Sequence, residues 1–435
     1  MSTGGDVFSS LVGQDDAVTA LRRAAAAAAQ LVATAHREAD RGRAESRGGE
    51  SRADMHPGAV GADGTPDPAS HAPLAADMTH AWLFTGPAGS GRSVAARAFA
   101  AALLCQHGTG CGNCPDCHTV LGGTHADLRL VVPEGLSIRV DEMRELVLRA
   151  ASAPSGGRWQ VVLIEDADRL VEAASNALLK AVEEPSERTV FLLCAPSTHP
   201  DDVSVTIQSR CRVVPLRAPS PEAVSAVLAE RDGIDPSTAL WAAQAAQGHV
   251  GRARRLARDP EAQRRRRDVL SIPRSLTSVA ACFTAAEQLV NAAEAEAKAS
   301  LEGVADKEIA DLKQALGAGG TGKGAAAAAR GTAGAVKELE KRQRSRVTRA
   351  QRDALDRALV DLAAFYRDVL TVRLGASVPA VHPDVAEVVA AAAARWTPES
   401  VLRRIEAVLA CREAVEANVK PRIAAEEMML ALYQG

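Results

Sequence analysis

Gly86-Pro87-Ala88-Gly89-Ser90-Gly91-Arg92-Ser93 stands between a short apolar run, Ala81-Trp82-Leu83-Phe84-Thr85, and an Ala-rich apolar stretch, Val94 to Leu104. A strand that ends in such a glycine-rich turn and restarts as a helix is the opening unit of a parallel sheet. The alternation continues downstream. Leu128 to Val132, Gln160 to Ile164, Val190 to Cys194 and Cys211 to Leu216 read as buried strands. Val140 to Ala151 and Ala174 to Glu183 read as helices between them. Strands alternating with helices predict an α/β core with a parallel sheet.

After Pro219 the strand signals stop. Pro221 to Arg231, Ser237 to Gln247 and Val250 to Arg258 read as short helices, and from Ile272 the pattern is mostly helical, broken near Pro379, Pro383, Pro398 and Pro421. The predicted order is an α/β core over 1–35 and 77–217, a small helical domain over 218–268 and an all-α domain over 269–435. Asp6 to Leu31 supplies a short entry segment and a helix. Residues 36–76 hold no Ile, Phe, Tyr or Trp and are rich in Gly, Pro, Arg and Asp; they bury too little to offset their ordering entropy and read as a disordered insertion. Residues 317–335 read as a flexible Gly/Ala stretch.

Composition narrows the function classes. With 51 Lys+Arg against 54 Asp+Glu the chain is no bulk polycation for coating nucleic acid. The basic run Arg252 to Arg267 and the stretch Lys337 to Arg357 read as solvated helix faces before DNA sites. No apolar run reaches the roughly 18 residues of a membrane span, and Met1 to Leu11 lacks a secretory pattern, so no membrane association and a cytoplasmic location are expected. Aromatics make up only 3% of residues, so Ala, Leu and Val must fill the core.

Three motifs carry chemistry. In the glycine-rich turn, Gly86, Gly89 and Gly91 let backbone N–H groups approach phosphate oxygens, Ser90 lies among them, and the helix N-terminus favours negative charge. Ser93 stands where a hydroxyl holds Mg²⁺, but Arg92 replaces the usual Lys, a planar fork in place of a point charge. Glu165 and Asp166 end the strand Gln160 to Ile164, where a phosphate-loop ATPase places its acidic pair in the order Asp then Glu; the reversed order, with Arg92, argues against efficient hydrolysis. ATP or ADP with Mg²⁺ is the implied cofactor. Cys105, Cys111, Cys114 and Cys117 supply four thiolates within a 105–117 module, enough to close a structural Zn²⁺ shell with no open position.

Together these pieces resemble the AAA+ clamp-loader family. Val7-Phe8 and Val12-Gly13-Gln14 look like its N-terminal base-binding segment, and the four Cys lie where its zinc module lies. Asn176 to Pro185 is similar to a stretch of the bacterial subunits, and Phe191 to Ser197 resembles the sensor-1 strand, with Ser197 or Thr198 at the polar position. Ser209-Arg210-Cys211 resembles the arginine-finger motif and Gly251-Arg252-Ala253 the sensor-2 segment. The resemblance implies an AAA+ core, a helical lid and an oligomerising helical collar. It implies partners: the gamma/tau motor and delta subunits, the sliding clamp, and primer-template DNA reached through the complex. Within the family, Arg92 and the Glu165-Asp166 order fit a non-catalytic or weakly hydrolysing subunit of the DNA polymerase holoenzyme that lends Arg210 to a neighbour's ATP site. The alternatives are an active motor subunit of the same complex and a stand-alone zinc-dependent nucleic-acid-binding protein.

Overall fold

A computed structural model describes residues 6–47, 77–150, 154–156, 158–316 and 325–435. It divides the chain into two compact units, Met1–Pro133 with Ser137–Ala223, and Glu134–Leu136 with Val224–Gly435.

The first unit is built on a parallel sheet of β1 (Ala81–Thr85), β2 (Leu128–Val131), β3 (Gln160–Ile164), β4 (Thr189–Ala195) and β5 (Arg212–Pro215). Their spatial order is β2-β3-β4-β1-β5. β1, β3 and β4 are buried at every residue, while the edge strands β2 and β5 are only partly so. Burial on both faces explains why the sequence shows continuous apolar runs instead of alternation. Side chains still divide by the two-residue period. Trp82, Phe84, Val161 and Leu163 enter one cluster with the helices Asp15–Arg47 and Arg92–Leu104. Ala81, Leu83, Val162 and Ile164 enter the other, with Val140–Ala150 and Glu172–Glu183. Trp82 meets Phe99 edge-on, ring centroids 4.9 Å apart, fixing the helix Arg92–Leu104 against the sheet.

The second unit is all helix among its described residues. Leu228, Ala239, Ala242, Ala253 and Leu256 form one small cluster within Pro221–Glu230, Pro236–Ala245 and Val250–Arg258. A larger cluster joins Val279–Leu301, Ala325–Arg373, Ala386–Arg395, Pro398–Glu416 and Pro421–Gln434 around Phe365, Tyr366 and Met429.

Two expectations change. The helix Asp15–Arg47 continues past Leu31 through the first part of the stretch assigned to a disordered insertion. Residues 36–47 lack burial signals but contain Ala, Arg and Glu and no Pro, so intrinsic helix preference carries them on. Residues 48–76 lie outside the described residues. The stretch 317–335 is likewise cut short: the helix Ala325–Arg373 begins inside it, and 317–324 lie outside the described residues.

Candidate functional site

β1 lies between β4 and β5, and its C-terminal end turns directly into the glycine-rich loop. Gly86 N–H donates to Pro196 O beyond β4 (3.1 Å), and Leu216 N–H beyond β5 donates to Thr85 O (2.7 Å). The loop therefore hangs between the two strands flanking β1. Gly86, Gly89 and Gly91 have φ of 154°, 86° and 89°. At Gly86 a Cβ would lie 2.4 Å from Leu216 O and 2.7 Å from Ser90 Oγ. Gly86→Ala is therefore expected to destabilise the unit by about 1–3 kcal/mol and to distort the loop. Gly91→Ala meets only Leu11 Cδ2, at 3.9 Å, and carries backbone strain of about 1 kcal/mol. Thermal unfolding should separate the two, with the larger loss at Gly86.

The loop has unfilled hydrogen-bonding capacity. Ser90 Oγ and Arg92 Nη1 are buried and have no hydrogen-bond partner. Open-φ glycines, an orphaned hydroxyl and an orphaned guanidinium nitrogen at a helix N-terminus fit an anion such as phosphate. Gln14 ties the N-terminal segment to the loop: its Nε2 donates to Ser90 O (3.3 Å) and Arg217 O (2.5 Å), and Arg217 N–H donates to its Oε1 (3.2 Å).

The acidic pair is arranged differently from a divalent-ion site. Glu165 is held by Arg97, whose Nε donates at 3.0 Å and whose Nη2 lies 2.9 Å away. Arg97 sits one turn into the helix that the loop opens and is the only charged residue of the stretch Val94 to Leu104. Asp166 has φ 52° and lies 3.7 Å from Arg169 Nε. Asp168, two positions beyond the expected pair, has its carboxyl pushed up by burial and then by the Asp166 charge. The Cys194 thiol on β4 is pushed up by burial and feels Glu165, Arg92, Asp166 and Arg97 together. The fold thus brings Arg92, Glu165 and Asp166 around the end of β4. Sequence reasoning missed Arg97; its isolation in an apolar helix was the available signal.

The other predicted residues have local partners. Ser197 Oγ donates to Asp202 Oδ2 (2.5 Å) and accepts from His199 N–H (2.9 Å). Arg210 donates to Thr206 O (2.8 Å) and Ser209 Oγ (3.3 Å), and its Nη2 lies 2.5 Å from Glu183 Oε1. Arg252 belongs to the second unit and pairs with Asp361 there at 2.5 Å.

The four cysteines converge. Their sulfurs all lie within 4.8 Å of one another, with Cys105 3.8 Å from Cys111 and 3.9 Å from Cys114. A tetrahedral shell with Zn–S near 2.3 Å has sulfur edges of about 3.8 Å, so the residues fit zinc. Cys114 caps the helix Pro115–Leu121, accepting from Cys117 N–H at 3.4 Å, which turns that helix's N–H groups toward a thiolate. Burial opposes the Cys105 thiolate, but hydrogen bonds from the backbone of Cys111, Thr109 and His107 bring its pKa to about 6. Burial pushes the Cys117 thiol up instead. Gly110 is pinned beneath the entry segment: its carbonyl accepts from Val7 N–H at 2.9 Å, and a Cβ there would lie 2.8 Å from Val7 Cγ2. No helix among the described residues is long and apolar enough to cross a membrane.

A family model described as "DNA polymerase III, delta subunit" matches residues 72–220, and one described as "DNA polymerase III, delta subunit, C terminal" matches residues 349–434. The DNA polymerase III subunit delta' of Pseudomonas aeruginosa is 42% identical over 173 residues, 38% of this chain and 51% of that protein. The gamma/tau subunit of Mycobacterium tuberculosis is 35% identical over 189 residues, 42% of this chain and 32% of that protein. The delta' subunit of Bacillus subtilis is 26% identical over 360 residues, 82% of this chain and 92% of that one. The chain thus spans about half the length of the Pseudomonas relative and a third of the mycobacterial one. A gamma-subunit-related protein of Thermotoga maritima aligns with 81% of this chain and 94% of its own at 16% identity and TM-score 0.36.

Proposed function

We propose that this chain, a member of the DNA polymerase III delta-type subunit family by its matches over residues 72–220 and 349–434, acts as the delta-prime-like subunit of the clamp loader. In this role it helps place the sliding clamp on primed DNA without turning over ATP efficiently itself. The observation that carries the reading is Arg97 on Glu165. The phosphate cradle retains its glycines and its helix N-terminus, while the first strand-end carboxylate is neutralised by the helix the loop opens. Arg92 adds a second bulky cation where a compact ammonium ordinarily stands. The residues suited to nucleotide are Gly86, Gly89, Ser90, Gly91 and Arg92 through the phosphates. Ser93 and Asp166 are the remaining oxygen donors for Mg²⁺. Bound ATP or ADP would supply charge and shape to the loop, and this chain's own groups would position it without preparing water for attack.

Partners follow from the same reading: motor subunits of the gamma/tau type, a delta subunit, the clamp, and primer-template DNA approached through the assembly. The helices from Val279–Leu301 to Pro421–Gln434 give the chain its packing surface for a collar, since they carry no phosphate loop and no metal cluster among the described residues. ATP turnover by the isolated chain should stay below about 1 s⁻¹, the low end of ordinary enzymes. Steady-state phosphate release on the purified protein checks this. Turnover at or above that rate, abolished by Asp166→Ala, would select the motor-subunit reading instead.

A further inference from the structure

The second unit carries a half-open cavity of about 640 Å³ between the helices Val250–Arg258, Pro260–Ser275, Val279–Leu301 and Ala325–Arg373. None of its lining residues belongs to the phosphate-loop unit. The volume falls in the range of small-molecule sites, about 300–1,000 Å³. It exists because alanines stand where four helices cross: Ala262, Ala285, Ala293, Ala354 and Ala358 line it, with Leu256 and Leu289.

The polar side of the cavity is basic. Glu296 receives three guanidinium groups: Arg255 Nη1 at 2.5 Å, Arg357 Nη2 at 2.9 Å and Arg265 Nε at 3.4 Å. Burial would raise the Glu296 carboxyl, but these arginines hold it below its ordinary value, so it stays ionised. Arg255 and Arg265 have further carboxylates in Asp259, at 3.5 and 3.7 Å, and Arg265 also has Glu261 at 3.1 Å. Arg357 has Glu296 alone among the ion pairs of the described residues. Burial, then the charges of Arg252 and Arg357, push the His249 imidazole below its ordinary value. Arg266 is 3% exposed, with both terminal nitrogens on Asp384 and one also on His382. Its Nε is buried and has no hydrogen-bond partner.

We infer that this cavity binds a small amphipathic organic anion, an aromatic carboxylate or sulfonate, with its ring on the alanine floor and its anionic oxygens toward Arg357. A purely apolar ligand would leave Arg357 with the shared Glu296 as its one carboxylate among the described residues. A compact inorganic anion would leave the floor wet.

The test uses the full chain and two fluorescent probes of similar ring structure: 8-anilinonaphthalene-1-sulfonate and the neutral N-phenyl-1-naphthylamine. The sulfonate should bind one saturable site at least tenfold more tightly than the neutral probe. Arg357→Gln should weaken the sulfonate about tenfold and leave the neutral probe unchanged. Ala358→Leu, which fills the floor, should abolish both. Equal affinity for the two probes, non-saturable binding, or wild-type binding by both folded variants would overturn the inference. Should Ala358→Leu unfold, hydrogen exchange on the wild-type chain decides instead. Bound sulfonate should protect 285–296 and 354–361, and protection confined to other segments refutes the site.

Discussion

On the proposal that Cys105, Cys111, Cys114 and Cys117 hold a zinc ion, stripping it, or changing Cys114 to Ser, is expected to unfold the segment from Cys105 to Leu121 and cost the chain several kcal/mol. Residues 105–114 form neither helix nor strand, so little besides the thiolate cluster and the Val7 contact fixes their path. Gly108, Gly110 and Gly112 all sit at positive φ, between 66° and 72°, and glycine loses the most backbone entropy on ordering. Cys105 and Cys117 are fully buried and Cys114 nearly so. Zinc in small peptide modules contributes apparent binding energies of about 10–16 kcal/mol at neutral pH; here part of the shape is already imposed by the helix Arg92–Leu104, so the visible loss is smaller. Damage should spread to the entry segment, because Val7 N–H would lose Gly110 O. It should not reach the phosphate loop, which lies at the other end of that helix, about 20 Å away at 1.5 Å per residue. The sign with pH follows from ligand protonation. Thiolates bind metal only when deprotonated, so this stability is present at neutral pH and is lost as the solution becomes acidic. Elemental analysis should find one zinc per chain. Hydrogen exchange should show selective loss of protection at 105–121 and 7–10 in Cys114→Ser. Carefully purified, reduced and folded protein with no metal would sink the assignment.

How much of this was legible in the sequence depends on the range of the interaction involved. Strands β1, β3 and β4 declared themselves because burial on both faces leaves unbroken apolar runs, and the glycine-rich loop because its φ values demand glycine. The cysteine cluster was legible because its ligands are close in sequence and their chemistry has few other uses. The short helix Pro115–Leu121 inside it was not, since seven residues carry too little periodicity to read. The length of the helix Asp15–Arg47 was misread because hydrophobic pattern reports packing, whereas this helix continues on propensity alone. The pairing of Arg97 with Glu165, 68 positions apart, and of Arg252 with Asp361, 109 apart, could not be read at all. Both depend on which helix face a strand end meets. The same holds for the basic cavity, whose arginines looked like a solvated helix face until Glu296 gathered three of them.

Changing Arg210 to Ala should lower ATP turnover of the assembled, DNA- and clamp-stimulated complex by about 10³-fold while leaving this chain folded and assembled. The expectation rests on the proposed delta-prime role, in which the guanidinium stabilises charge on the phosphoryl group transferring in a neighbouring subunit. The structure supplies a competing local job, the ion pair with Glu183 at 2.5 Å. Magnitudes decide between them. The two side chains are 35% and 40% exposed, and a solvent-screened pair of this kind contributes about 0–1 kcal/mol. A finger delivered in trans accelerates hydrolysis by about 10³–10⁵, which is about 4–7 kcal/mol of barrier at 1.36 kcal/mol per decade. Arg210 can therefore leave Glu183 at small cost when a phosphate draws it. Its anchorage also suits release: the hydrogen bonds to Thr206 O and Ser209 Oγ are local, from a four-residue helix, Val205–Gln208, at the mouth of β5. Cys211 behind it is a different matter, half-shielded with its thiol pushed up to about 12 by burial, so it anchors the turn and takes no part in charge. Glu183→Gln separates the readings. It removes the local pair and leaves the guanidinium, so complex turnover should hold or rise slightly, whereas a purely structural Arg210 would make both variants behave alike. Arg210→Lys should recover little, because a point charge lacks the planar fork that spans two phosphoryl oxygens. A correctly assembled Arg210→Ala complex with wild-type turnover would rule out the finger.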